Sequence, residues 1–152
     1  MSDGIKILIK NRKARHEFFI EETIEAGIAL VGSEVKSIRA GKANIKEAYV
    51  RLRGNEAYIV GMHISPYEKA GAWAVEPTRE RKLLMHKREI IKLSSLVAQK
   101  GLTLVPLTVY LKKGLVKIEV GVARGKKLYD KRQDIKARDA KRQQDVARKM
   151  TR

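Results

Sequence analysis

The stretch "LTLVPLTVYLKKGLVKIEVGVA", Leu102 to Ala123, constrains the fold more than any other. Its apolar side chains recur with period two. They fall at 102 and 104, slip by one at Pro106, and resume at 107, 109 and 111. After a turn at Lys113-Gly114, Val116, Ile118, Val120 and Val122 alternate cleanly. Successive strand side chains point to opposite faces, so each run has one face to bury. Two such runs joined by a tight turn make a hairpin, and a lone hairpin is marginal in water. Further strands must cover it. The slip at Pro106 is what a bulge or an edge strand produces.

The rest of the chain supplies those strands. "IKILIK" (Ile5–Lys10) alternates weakly, and "NRKARHE" (Asn11–Glu17) reads as a basic turn or short helix. "FFIEETIEAGIALVG" (Phe18–Gly32) is β-branched and aromatic. Gly27 inside it marks a bulge or a place where something approaches the backbone closely. "SEVKSIRAG" predicts a short helix with Ser33 as N-cap and Gly41 as its stop. Val35 and Ile38 face its core side, while Lys36 and Arg39 share another face with Lys42 just beyond. "NIKEAYVRLRGNEAYIVGMHI" (Asn44–Ile64) predicts a hairpin turning at Gly54-Asn55. "SPYEKAGAWAVEPT" (Ser65–Thr78) is a long loop holding the single Trp73, tucked under its own loop or left free to stack on a ligand. "RERKLLMHKREIIKLSSLVAQKG" (Arg79–Gly101) predicts a helix with Ile90, Leu93 and Val97 as its apolar stripe. The sum is mainly β. About six strands with two to three helices form a small closed or partly open antiparallel barrel. The OB-like version of that barrel rests on fold-level analogy.

Charge bears on the partner. Among 152 residues, 34 are Lys or Arg and 17 Asp or Glu, a net +17 that points to a polyanion. Residues 124–152 hold 12 basic and 4 acidic side chains, nearly half the excess in a fifth of the length. That segment is a basic C-terminal tail, disordered or helical, following a barrel over 1–123. Within it Leu128, Ile135, Val146 and Met150 form only a thin apolar stripe, poorly suited to burial on a core. The absence of Cys removes disulfides and thiolate chemistry. No apolar run approaches a membrane span and no secretory signal is apparent, so the expectation is a soluble cytoplasmic protein.

Catalytic signals are absent from the sequence. His16, His63 and His86 lack metal-ligand spacing and suit structural or RNA-stacking roles. Glu21, Glu22 and Glu25 read as a solvated strand face, since nothing nearby completes an acid–base site. Basic residues do cluster around aromatics and turns, in "NRKARHEFF", "KSIRAGK", "RERKLLMHKRE" and "ARGKKLYDKR". Tyr129, flanked by cations, could stack on a base or pack on the barrel.

Several strings stand in a shared order: "EAGIAL", "GSEVKS", "RAGKANI", "RKLLMHKRE" and "GKKLYDKR". From about Asn11 to Asp139 the chain closely resembles the small protein B family, the SsrA-binding proteins of bacterial trans-translation. The resemblance implies an OB-type barrel that binds the tRNA-like domain of transfer-messenger RNA. It implies delivery of that RNA to stalled ribosomes by a monomer that catalyses nothing and needs no cofactor, metal or membrane. The tail would enter the empty small-subunit decoding centre and mRNA channel. Glu25, Leu84 and His86 match positions associated with the RNA surface; the family often has Asn in place of His86. Gly125, Lys126 and Lys127 match the glycine and lysines ahead of the tail. Tyr129 matches an aromatic or histidine that stacks in the decoding centre. Asp130, Lys131 and Arg132 match "DKR", and Ile135, Lys136 and Arg138 match "IKxR". Lys36, Arg39 and Lys42 complete the RNA-binding set. The competing reading is a constitutive ribosomal or RNA-chaperone protein, and an RNA-acting enzyme comes third.

Overall fold

The computed structural model describes residues 4–67 and 75–125. In chain order the elements are β1 (Ile5–Lys10), α1 (Arg12–Glu17), β2 (Phe18–Ile28), α2 (Gly32–Arg39), β3 (Ala43–Asn44), β4 (Tyr49–Arg53), β5 (Glu56–Val60), β6 (His63–Ile64), β7 (Arg81–Leu84), α3 (Lys87–Lys100), β8 (Thr103–Lys112) and β9 (Leu115–Gly125). Seven strands form one antiparallel sheet in the order β1-β8-β9-β2-β7-β5-β4, while β3 and β6 pair separately. The sheet curls until edge strand β4 packs against β8, giving a partly open barrel. Ile59, Leu83, Val109, Ile118 and Val120 fill it with almost no exposure.

The β8–β9 hairpin forms as its alternation predicts, with Lys112 opposite Leu115. The slip at Pro106 is a bulge, and β8 lies inside the sheet between β1 and β9. The bulge divides the buried residues. Leu104, Val109 and Leu111 enter the main core, whereas Val105 and Leu107 join Ala14, Ala123 and Phe18 in a smaller one. β8 is buried on both faces along most of its length, and α1 packs its Ala14 over Val105 and Leu107.

Among the described residues nine strands stand where about six were expected, for two reasons. The Asn44–Ile64 segment is a hairpin only from Tyr49 to Val60, and its flanks pair in the small second sheet. The predicted helix over Arg79–Gly101 begins only at Lys87, because Arg81–Leu84 is the strand β7. β7 is clasped between β2 and β5, with Leu83 opposite both Ile28 and Ala57. Pairing on two sides with Leu83 buried outweighs the helix preference of Arg-Lys-Leu-Leu, worth only tenths of a kcal/mol per residue. Ser33 does not cap α2 either. The N-cap is Val31, two residues earlier, and Glu34 reaches back to accept from the Val31 N–H at 3.1 Å. Gly101 ends α3 in the left-handed region at φ 63°, as expected of a helix-stopping glycine.

One inward side chain of β7 is charged. Arg81 is fully buried, and its Nε donates to Glu34 Oε2 on α2. Its remaining donors reach the carbonyls of Met62 at 2.8 Å, Arg79 at 3.0 Å and Pro77 at 3.0 Å. Arg79 Nε adds a second cation to Glu34 at 3.1 Å. This network ties α2 to the barrel wall.

Candidate nucleic-acid interface

Residues opposite one another in neighbouring strands point to the same face of a sheet. The pairs Ile7–Tyr110, Tyr110–Lys117, Lys117–Gly27 and Gly27–Leu84 therefore make one continuous row across the outside of the barrel. Towards one end of the row Gly27 has no side chain, and Leu84 lies against it. A Cβ built there would stand 3.2 Å from the Leu84 Cβ. Close approach, and not a bulge, is thus the role of Gly27; the β2 bulge falls between Ile20 and Glu22.

Leu84, left exposed, sits in a groove of about 690 Å³. Glu25, Lys117, Lys82, Met85, His86 and Glu89 stand around it. His86 is at the head of α3, where its backbone N–H donates to Glu89 Oε1 at 3.0 Å and its carbonyl accepts from the Glu89 N–H at 2.9 Å. The cap fixes the His86 backbone at the rim. The groove offers an aliphatic surface, an imidazole, two lysines and a set of carboxylates, which suits an unpaired nucleotide with its phosphates near the cations.

Glu25 is not a free carboxylate. Its Oε2 accepts from the Tyr110 hydroxyl and from Lys112 Nζ at 3.3 Å. The Tyr110 hydrogen bond, with Lys112 beside it, outweighs partial desolvation and holds the carboxyl below the usual carboxylate range. Desolvation first, then Glu25, pushes the Tyr110 phenol up.

Three of the expected RNA residues, Glu25, Leu84 and His86, thus share one groove. Lys36, Arg39 and Lys42 do not line it. They are exposed in and beyond α2, with the Lys36 ammonium 5.2 Å from the centre of the Tyr67 ring. Gly125 is the last residue of β9, opposite Phe18. Lys126, Lys127, Tyr129, Asp130, Lys131, Arg132, Ile135, Lys136 and Arg138 lie outside the described residues, as does Trp73. The sequence reading passed over Lys82, Tyr110, Lys112 and Lys117. The alternation already turned Tyr110 and Lys112 away from the core, but only the strand order brings them to Glu25. Among the described residues no three His, Asp or Glu side chains gather to hold a metal, and no helix is long and apolar enough to cross a membrane.

A curled antiparallel barrel with a partly apolar outer groove of mixed charge, in a chain of net charge +17, defines a class, the small β-barrels that hold nucleic acid on their outer strands. Comparison narrows the class. Residues 8–152 match the SmpB protein family, and the chain belongs to that family. It is 60% identical over 150 residues to the SsrA-binding protein of Ruminiclostridium cellulolyticum, a match covering 99% of this chain and 96% of that one. It is 60% identical over 141 residues to the SsrA-binding protein of Caldanaerobacter subterraneus, covering 93% and 89%. Among solved structures it is similar to a chain described as "tmRNA-SmpB: a journey to the center of the bacterial ribosome". That match has a TM-score of 0.66 and 50% identity, covering 78% of this chain and 83% of the other.

Proposed function

We propose that this protein is an RNA-binding adaptor of trans-translation. It binds transfer-messenger RNA through its barrel and carries that RNA to stalled ribosomes. It catalyses no reaction itself and works in the cytoplasm as a monomer. One observation supports this most: the family match runs unbroken from residue 8 to 152, through the barrel and the basic segment after it alike. In this reading the groove at Glu25, Leu84 and His86 takes an unpaired part of the tRNA-like domain. Lys36, Arg39 and Lys42 hold its phosphates, and Gly125, Lys126 and Lys127 lead out of the barrel. The basic segment beyond Gly125, where β9 ends, acts as a separate unit, two residues later than the boundary at 124 expected from the sequence. Tyr129 stacks in the codonless decoding centre, Asp130, Lys131 and Arg132 settle beside it, and Ile135, Lys136 and Arg138 follow the mRNA channel.

The test is recovery and sequencing of the RNA bound to the protein in cells. Transfer-messenger RNA should dominate. Equal ribosome association in cells lacking that RNA would instead mark a constitutive ribosomal protein. A chain truncated before Tyr129 should still bind the tRNA-like RNA with a modest loss, while peptide tagging on stalled ribosomes is abolished. Tagging by the truncated chain would overturn the role given to the tail.

A further inference from the structure

Glu25 stands directly opposite Glu119 in the β2–β9 ladder, an unfavourable pairing of like charges. Each carboxylate is held by its own donors. Glu119 Oε1 accepts from Arg15 at 2.9 Å and from Thr108 at 3.2 Å. Glu25 is held from β8, two strands away, by the Tyr110 hydroxyl reaching across β9, with Lys112 beside it. Both donors meet the same oxygen, Oε2. Among the described residues none bonds Oε1. Glu25 lines the groove, and Tyr110, only 8% exposed, does not.

We propose that Tyr110 is a positioning residue for RNA recognition. Its hydroxyl fixes the Glu25 carboxylate by Oε2, so that Oε1 is presented to the groove as an acceptor for the amino, imino or 2′-hydroxyl donors of an unpaired nucleotide. The inference rests on the adaptor reading and deepens it. It explains how an anionic side chain serves a cationic RNA surface: as a fixed acceptor whose charge is already offset within the protein. A freely rotating carboxylate would lose rotamer entropy on binding and would be as free to turn towards a phosphate.

The test uses the full chain as wild type, Tyr110→Phe, Glu25→Ala and the double variant. Each is titrated against the labelled tRNA-like RNA at several salt concentrations. Phe refills the ring's volume, and thermal melting of each variant controls for the fold. Tyr110→Phe should weaken binding about tenfold, the scale of one hydrogen bond to a charged group. The log–log salt slope should stay unchanged, because no cation has been removed. The double variant should bind no more weakly than Glu25→Ala, since the two groups act as a unit. A Phe variant that binds like wild type, or losses that add, would overturn the role of Tyr110. A wild-type protein that prefers the tRNA-like RNA no more than an unrelated hairpin would overturn the adaptor reading instead.

Discussion

Asn11 shows how much one residue can carry. Its Oδ1 caps α1 by accepting from the Ala14 N–H at 3.0 Å, and its Nδ2 donates to the carbonyls of Ile45 at 3.0 Å and Pro106 at 2.9 Å. A basic turn or short helix over Asn11–Glu17 was legible; the cap and the two bonds to residues far along the chain were not. Asn11→Ala should lower stability by about 3 kcal/mol, the sum of a lost cap and two buried carbonyls left unpaired. Asn11→Asp keeps the cap oxygen but sets a carboxylate oxygen against both buried carbonyls, and should cost at least as much in urea unfolding. Parity with wild type for the Asp variant would show that only the cap matters. Gly27 gives the opposite separation. An Ala there must push Leu84 by a few tenths of an ångström, while relieving the backbone entropy cost of a strand glycine, about 0.5–1 kcal/mol. The urea midpoint of Gly27→Ala should hold or rise slightly, and its RNA affinity should fall severalfold. An unchanged affinity would mean that the Leu84 surface is not part of the contact.

At the scale of elements, the strands with clean alternation were legible and the short β7 was not. Alternation between Arg81 and Leu83 reads as strand only if a buried arginine is admitted, and Arg is almost never fully buried unless paired. Its partner, Glu34, lies 47 residues earlier, on α2. The capping role of Glu34 has no local signature either, since the Ser beside it is the usual capping residue and the N–H that Glu34 satisfies belongs to Val31. Glu34→Gln would leave Arg81 buried with its charge uncompensated, a change expected to cost about 3–5 kcal/mol. The contribution depends on pH in a definite sense. Burial raises the Glu34 carboxyl, but Arg79, the Val31 N–H and Arg81 together bring it below the ordinary carboxylate range. The folded state therefore binds this proton more weakly than the unfolded chain. The stabilisation is fully present above the unfolded carboxylate pKa and is lost as pH falls through the folded one. Urea unfolding at pH 7 should separate wild type from Glu34→Gln widely, and the gap should narrow progressively as pH falls below the ordinary carboxylate range. A constant gap would assign the effect to packing alone.

For the whole molecule, a net charge of +17 was the plainest signal, and it bears on salt dependence. Binding to the tRNA-like RNA should follow a log–log salt slope of about −0.7 to −0.9 for each phosphate neutralised. Four to six contacts would give a slope of about −3 to −5; a slope near zero in a salt titration would refute an electrostatic interface. The barrel was legible as a class because alternation counts strands. The groove was not, since β2, β7, β9 and α3 meet there only through pairings that no local pattern encodes. Those pairings also order events in time. β1 closes only on β8, with Ile5 opposite Lys112, and β2 finds β9 at a similar remove. Some hundred residues must be made between partners, so at 5–20 residues per second the first two strands wait on the order of 5–20 s with their edges open. Their charges then have a second use. Lys6 and Lys10 interrupt one strand and Glu21, Glu22 and Glu25 the other, as residues that discourage pairing between unfinished chains. Replacing Lys6 and Lys10 with Thr should show first in the yield of soluble protein during synthesis, well before it shows in the melting temperature of the finished barrel.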